Sequence, residues 1–152
     1  MNQRDQEEHE KLTPESATTP YPISESADDI QKKNTPVLVV SPHPDDAESG
    51  AGAVIAQWSK QGRKVILVVC TNGNKGASDQ NIDPEKLAEI RENEQRKAAK
   101  VAGISEVIFL RYPDQGLEDT SEFREKLVRQ IRIYTPETVV TVDPVRRYIR
   151  HR

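Results

Sequence analysis

The sequence contains a single cysteine, Cys70, in 152 residues, so an internal disulfide is excluded. Because Cys70 ends an apolar run, we interpret it as a small buried hydrophobic side chain and not as a nucleophile. Long apolar runs are also missing. None approaches the roughly 20 residues of a membrane-spanning helix, and the start MNQRDQEEHE lacks the apolar segment of a signal peptide. We therefore expect a cytoplasmic protein without a membrane span.

Apolar residues are scarce, at 34%, and the net charge of −3 is small. Much of the apolar deficit lies in residues 1–35, which contain three prolines and many Ser, Thr, Glu and Gln residues without apolar periodicity. This composition predicts a disordered tail. The tail has eight acids and four bases, which leaves residues 36–152 near +1 and predicts no affinity for nucleic acid. Residues 36–152 are long enough for one domain.

From Pro36 onward, short apolar runs alternate with longer segments of helical periodicity. The patterns predict strands at about 36–41, 64–71, 105–110 and 138–142, and helices at about 51–61, 83–103 and 121–134. The run KVILVVCT is typical of a strand buried on both faces. This alternation predicts an α/β fold, a Rossmann-like three-layer sandwich with a mainly parallel sheet between helices.

Polar side chains follow every predicted strand. After the four strands come, in order, His43, Asp45, Asp46 and Glu48; Thr71, Asn72 and Gly73; Arg111, Tyr112 and Asp114; and Asp143, Arg146, Arg147, Tyr148 and His151. The carboxyl ends of parallel strands share one edge of the sheet, where ligands bind in such folds. The sequence therefore predicts one site assembled from four separate segments.

The segment VLVVSPHPDDAESG, residues 37–50, ends the first strand with one histidine and three acids. His43 and Asp46, three positions apart on a proline-stiffened turn, can reach one divalent ion, and this donor pair suits zinc. Asp45 would then hold a water that the metal makes acidic. The alternative is a helix N-terminus, where Asp45, Asp46 and Glu48 cap the helix and complement its dipole. The residues alone leave both interpretations open.

Several segments together resemble the LmbE-like family of zinc-dependent deacetylases, which includes the PIG-L N-acetylglucosaminylphosphatidylinositol deacetylases. In chain order they are SPHPDDAESGAGA, TNGNKG, Arg91 with Glu94, YPDQG and DPVRRYIRH. The resemblance covers residues 36–152, and PHPDDAE is its most specific part. It implies a Zn²⁺-dependent enzyme that removes an acetyl group from a small N-acetylated amino sugar or its glycoconjugate.

The resemblance also assigns roles to individual residues. His43 and Asp46 would be zinc ligands, and Asp45 would be the general base that acts on the metal-bound water. Arg91 would reach the substrate, and Asp114 would accept a hydrogen bond from a sugar hydroxyl. The plainer interpretations are an i, i+3 pair of Arg91 with Glu94 on the sheet-facing side of their helix, and a turn residue for Asp114.

The family shows a late motif of two histidines three positions apart, the second of which is the third zinc ligand. His151 fits the first of them, so the expected ligand would lie about two residues beyond Arg152, and the domain is expected to be incomplete at its C-terminus. The resemblance gives His151 a catalytic role and Tyr148 a place in substrate binding, whereas the plainer interpretation of Tyr148 is a solvated end. Two protein ligands would hold zinc weakly.

A different class of function is a non-catalytic module that binds a phosphate or nucleotide. GAGAVI at Gly50 follows a strand and opens a helix, but it lacks the third glycine of the dinucleotide fingerprint. The HPDD carboxylates would also lie where phosphates bind, which disfavours this hypothesis. A third hypothesis is a Rossmann-like relic that has lost the metal site. Zinc stoichiometry distinguishes among the three.

Overall fold

The computed structural model describes residues 35–77 and 81–143. Its strands are β1 (Val37–Ser41), β2 (Val65–Thr71), β3 (Glu106–Tyr112) and β4 (Thr138–Val140), and its helices are α1 (Asp46–Lys60), α2 (Pro84–Ala102) and α3 (Ser121–Tyr134). The strands form one sheet in the order β3-β2-β1-β4, and all three pairings are parallel. The predicted parallel α/β sheet is therefore confirmed. The disordered tail predicted for 1–35 lies, apart from Thr35, outside the described residues.

The sheet is covered by helices on both faces, because successive side chains of a strand point to opposite sides. One core cluster packs β1 and β2 against α1 and α2 and contains Val37, Val39, Ala47, Ile55, Val65, Leu67 and Val69, with Ala51, Trp58 and Ala102 against it. The other cluster contains Leu38, Ile66 and Val68, with Leu127 and Tyr134 of α3 packed against it. These two clusters make the three predicted layers.

Strand β2 is buried along its whole length, as the continuous β-branched run predicts. Cys70 in this strand is 3% exposed, and burial raises the pKa of its thiol to about 11. The interpretation of Cys70 as a buried hydrophobic side chain is confirmed, because a thiol with this pKa is protonated at neutral pH.

Helix boundaries follow local capping signals. Asp83 accepts a hydrogen bond from the Glu85 N–H at 3.0 Å, Pro84 occupies the first turn, and Gly103 ends α2 with a left-handed φ of 74°. Helix α1 begins at Asp46, five residues before the predicted start at Ala51. Its first turn lines the polar edge of the sheet, so apolar periodicity marks only the later turns.

Candidate active site at the carboxyl edge

The turn between β1 and α1 brings His43 and Asp46 together. The His43 Nδ1 and Asp46 Oδ2 atoms are 3.0 Å apart, and the His43 backbone N–H also donates to Asp46 Oδ2 at 3.0 Å. The Ser41 hydroxyl donates to the His43 carbonyl at 2.7 Å. These hydrogen bonds fix both side chains, so that His43 Nδ1 and Asp46 Oδ2 lie next to each other beyond the end of β1.

The second ring nitrogen of His43 faces a different carboxylate. His43 Nε2 lies 3.0 Å from Asp114 Oδ1, in the loop after β3. The hydrogen bond with Asp46 raises the pKa of His43 above its ordinary value; burial opposes this, and the charges of both carboxylates add to it. The imidazole is therefore held between two acids, one on each nitrogen.

The end of β2 and the loop after it pack against the HPDD turn. The Thr71 N–H and hydroxyl both donate to the Pro42 carbonyl at 2.9 Å. Gly73 has a left-handed φ of 62°, and a Cβ there would lie 3.2 Å from Pro44 Cδ. A glycine therefore allows this loop to pack directly on the HPDD turn. The Asn72 and Asn74 side-chain oxygens accept from the Asp114 N–H, each at 3.3 Å.

Asp45 is held from the other side by helix α2. Its backbone is left-handed, with φ 82°. Arg91 Nη2 donates to Asp45 Oδ2 and to the Pro44 carbonyl, both at 3.0 Å, and Gln95 Oε1 accepts from the Asp45 N–H at 2.9 Å. The Asp45 side chain is still 66% exposed. Water can therefore reach a carboxylate whose position is set by two residues of α2.

Gln95 is a site residue that the sequence did not reveal. It is 2% exposed, and its Nε2 donates to Glu48 Oε1 at 2.6 Å. The expected partnership of Arg91 with Glu94 on the sheet-facing side is wrong, because Glu94 is exposed and Arg91 contacts Asp45. Residues four apart share a helix face more closely than residues three apart, so the spacing of Gln95 from Arg91 was the available signal.

The capping interpretation of the acids is only partly correct. Asp45 occupies the N-cap position of α1, but its side chain makes no capping hydrogen bond. Asp46 and Glu48 do lie in the first turn, where carboxylates complement the helix dipole. Their side chains nevertheless contact His43 and Gln95, so the acids are engaged in the site as well.

A cavity of about 600 Å³ opens beside the His43 and Asp46 pair. It lies between α1, the end of β1 and the segment after β4, and its wall includes Ser49, Gly50, Thr141 and Asp143. Most of its lining is apolar, and its polar side chains come from the end of β1, the HPDD turn, α1 and the segment after β4. Such a cavity is large enough for a small organic molecule.

The site residues fit part of a zinc centre. Two ligands of a tetrahedral zinc bound at about 2.0–2.2 Å lie roughly 3.3–3.6 Å apart, a few tenths of an ångström more than the 3.0 Å between His43 Nδ1 and Asp46 Oδ2. Within residues 35–77 and 81–143, no three His, Cys, Asp or Glu side chains converge on one point. Asp114 does not complete such a group because it faces the opposite nitrogen of the ring. Tyr148 and His151 lie outside the described residues.

Known proteins resemble this chain in both sequence and fold. Diacetylchitobiose deacetylase from Thermococcus kodakarensis is 31% identical over 131 residues, which cover 86% of this chain and 48% of that protein. The structure of N,N′-diacetylchitobiose deacetylase from Pyrococcus horikoshii with its inhibitor superposes with a TM-score of 0.75 at 31% identity, over 86% of this chain and 48% of that one.

A second solved structure has a different activity. GalB, the 4-carboxy-2-hydroxymuconate hydratase from Pseudomonas putida, superposes with a TM-score of 0.67 at 27% identity, over 73% of this chain and 49% of GalB. The chain spans about half the length of the curated relatives it matches. The model of the GlcNAc-PI de-N-acetylase family matches residues 38–152. With this match and the shared parallel fold, the chain belongs to the PIG-L, or LmbE-like, family.

Proposed function

We propose that this protein is a zinc-dependent hydrolase that removes the acetyl group from a small N-acetylated amino sugar or its glycoconjugate. One observation carries the proposal: His43 and Asp46 meet at 3.0 Å beside an exposed carboxylate, Asp45, at the ligand-binding edge of the sheet. Similarity to the diacetylchitobiose deacetylases supports the choice of an acetylated amino sugar.

In this proposal His43 and Asp46 would hold the Zn²⁺ ion. When bound, the ion would polarise the acetamide carbonyl and lower the pKa of a bound water. Asp45 is the base that would take a proton from the attacking water, and either Asp45 or His151 would protonate the departing amine. Arg91 holds Asp45 Oδ2 at 3.0 Å and so keeps the base oriented while water reaches it. The contacts of Arg91 with Asp45 and Pro44 support this orienting role. The resemblance additionally implies that Arg91 contacts the substrate.

The roles of the two late residues rest on the resemblance. His151, as imidazolium, would stabilise the negative charge that develops on the acetamide oxygen, and Tyr148 would contact the sugar. The cytoplasmic location and the lack of nucleic-acid binding also stay predictions. None of the described helices, α1, α2 and α3, has the length and apolar composition of a membrane span.

Two variants test the role assignment because they should fail for different reasons. Asp45→Asn keeps the size of the side chain but removes the base, so zinc should stay bound while kcat falls by roughly 10²–10⁴. His43→Ala removes a ligand and should lose the zinc. The measurements are acetate release from N,N′-diacetylchitobiose and zinc content by atomic spectroscopy. Full activity in Asp45→Asn, or full zinc occupancy in His43→Ala, would contradict the assignment.

Hydration of a carbon–carbon double bond is the second candidate, favoured by the similarity to the GalB hydratase. Both reactions need an activated water and a carboxylate base, so the described residues serve either one. The assay therefore includes 4-carboxy-2-hydroxymuconate beside N,N′-diacetylchitobiose. Water addition to the first compound, without acetate release from the second, would replace the deacetylase proposal with a hydratase.

A further inference from the structure

Asp114 is placed against the histidine and not at an open surface. The residue is 8% exposed, and its Oδ1 lies 3.0 Å from His43 Nε2. At least one of the two carboxylate oxygens is therefore committed to the histidine ring. This contact gives Asp114 a role besides the sugar binding that the resemblance assigns to it.

The loop that carries Asp114 is built to hold this contact. The Asp114 N–H donates to the side-chain oxygens of Asn72 and Asn74, which belong to the loop after β2. The next residue, Gln115, adopts a left-handed φ of 62°, and the Gly116 N–H donates to the Pro113 carbonyl at 3.0 Å. A turn anchored at its backbone aims the carboxylate before any ligand arrives.

Both ring nitrogens of His43 face a carboxylate, Asp46 at Nδ1 and Asp114 at Nε2. When a cation takes Nδ1, the remaining ring proton has to lie on Nε2, where Asp114 accepts it. A neutral imidazole with its proton on Nε2 presents a lone pair at Nδ1, next to Asp46 Oδ2. Histidines that bind metals commonly donate their other N–H to a carboxylate, which fixes ring and tautomer.

We propose that Asp114 is a positioning residue that holds the His43 ring so that Nδ1, together with Asp46, faces a divalent cation. The inference rests on the metal site of the proposed function. It differs from the sugar-binding hypothesis in a measurable way. Loss of a sugar contact would raise KM and leave metal affinity unchanged, whereas loss of a positioning contact weakens metal binding with no substrate present.

The first experiment is a zinc titration of the 152-residue protein by chelator competition, without substrate. Asp114→Ala should weaken zinc binding by about 10–100-fold. Asp114→Asn keeps a neutral acceptor of the same size. It should lose about half of the free energy that Asp114→Ala loses, so zinc binding should weaken by about 3–10-fold. Asp119→Asn removes an exposed carboxylate that pairs only with Arg124 among the described residues, and should stay within about twofold of wild type.

A second readout reports the tautomer directly. The chain has three histidines, so the ring nitrogens of His43 can be assigned by ¹⁵N NMR after single substitutions. In the zinc-loaded protein, His43 should show a protected Nε2 proton that persists in Asp114→Asn and disappears in Asp114→Ala. Circular dichroism checks folding, and the near-isosteric Asn variant provides the test even if the Ala variant does not fold.

The outcomes separate this inference from the function on which it rests. Zinc binding within twofold of wild type in both Asp114 variants, or zinc on Nε2 of His43, overturns the positioning role alone. Failure of the wild-type protein to bind zinc overturns both proposals. Unchanged zinc affinity combined with a raised KM for diacetylchitobiose returns Asp114 to the sugar-binding role.

Discussion

Asp45 has a backbone conformation that residues with a side chain rarely adopt, and such a conformation costs on the order of 1–3 kcal/mol. Two residues of α2 stabilise it: Gln95 accepts its N–H, and Arg91 contacts its carboxylate and the preceding carbonyl. Gln95 is itself buried and bonded to Glu48. At this scale the strain lies at the proposed base, and the compensating hydrogen bonds lie on a neighbouring helix.

Replacing Gln95 with Leu tests this compensation. The variant leaves the Asp45 N–H and the Glu48 carboxylate without their partner, so we expect the free energy of unfolding to fall by about 2–4 kcal/mol. Urea denaturation measures the change. The matched control is Glu94→Leu, an exposed position on the same helix, which should change stability by no more than about 0.5 kcal/mol. Equal stabilities of the two variants would contradict the prediction.

The three helices differ in what stabilises them. Helix α1 has no side-chain cap but buries Ala47 and Ile55, whereas α3 has no fully buried residue and relies more on local contacts. The Thr120 hydroxyl caps α3 by accepting from the Phe123 N–H at 3.1 Å. Helix α2 has both a side-chain cap at Asp83 and buried residues, so α3 is the helix whose cap is not backed by a buried side chain. The two helices that contact the site, α1 and α2, are those with buried side chains.

The cap of α3 gives a prediction at this scale. Thr120→Ala removes the acceptor for the Phe123 N–H and should lower the free energy of unfolding by about 1 kcal/mol, within a range of about 0.5–2. Thr120→Ser keeps the hydroxyl and serves as the control, with little expected change. Thermal and urea unfolding measure both variants. A loss in the serine variant as large as that in the alanine variant would show that the methyl group, and not the cap, is responsible.

Across the whole molecule, the site is assembled from separate parts of a parallel sheet. The central strands β1 and β2 bring their loops together, the loop after β3 contributes Asp114, and α2 contributes Arg91 and Gln95. Strand β4 is a three-residue edge strand with Val139 about half exposed. We therefore expect local unfolding to be rarest in the central strands next to the site and most frequent at the β4 edge.

Hydrogen exchange should reproduce this gradient. The amides of β2, buried on both faces and paired with both neighbours, should be the most protected, while β4 and α3 should exchange earlier. Mass spectrometry of peptides covering β2, β4 and α3 measures the difference under native conditions. Protection of β4 equal to that of β2 would contradict the gradient.

Local signals in the sequence determined the order of the elements and the residues at their ends. The β-branched run predicted buried β2, and Asp83 with Pro84 and Gly103 marked α2. The HPDD segment indicated where the candidate site lies. These features depend on residues close together in the chain, whose conformational preferences act without the rest of the fold. The alternation of strands and helices likewise determined the parallel sheet.

Only the tertiary structure decided which side chains meet. His43 contacts Asp114 from 71 residues away, and Arg91 reaches Pro44 across 47 residues. Gln95, rather than Glu94, turns inward because α2 is rotated by its packing against α1 and the sheet. Such contacts depend on how whole helices and strands pack together. Neighbouring residues of a helix point about 100° apart, so a small rotation of the helix brings a different residue to the site.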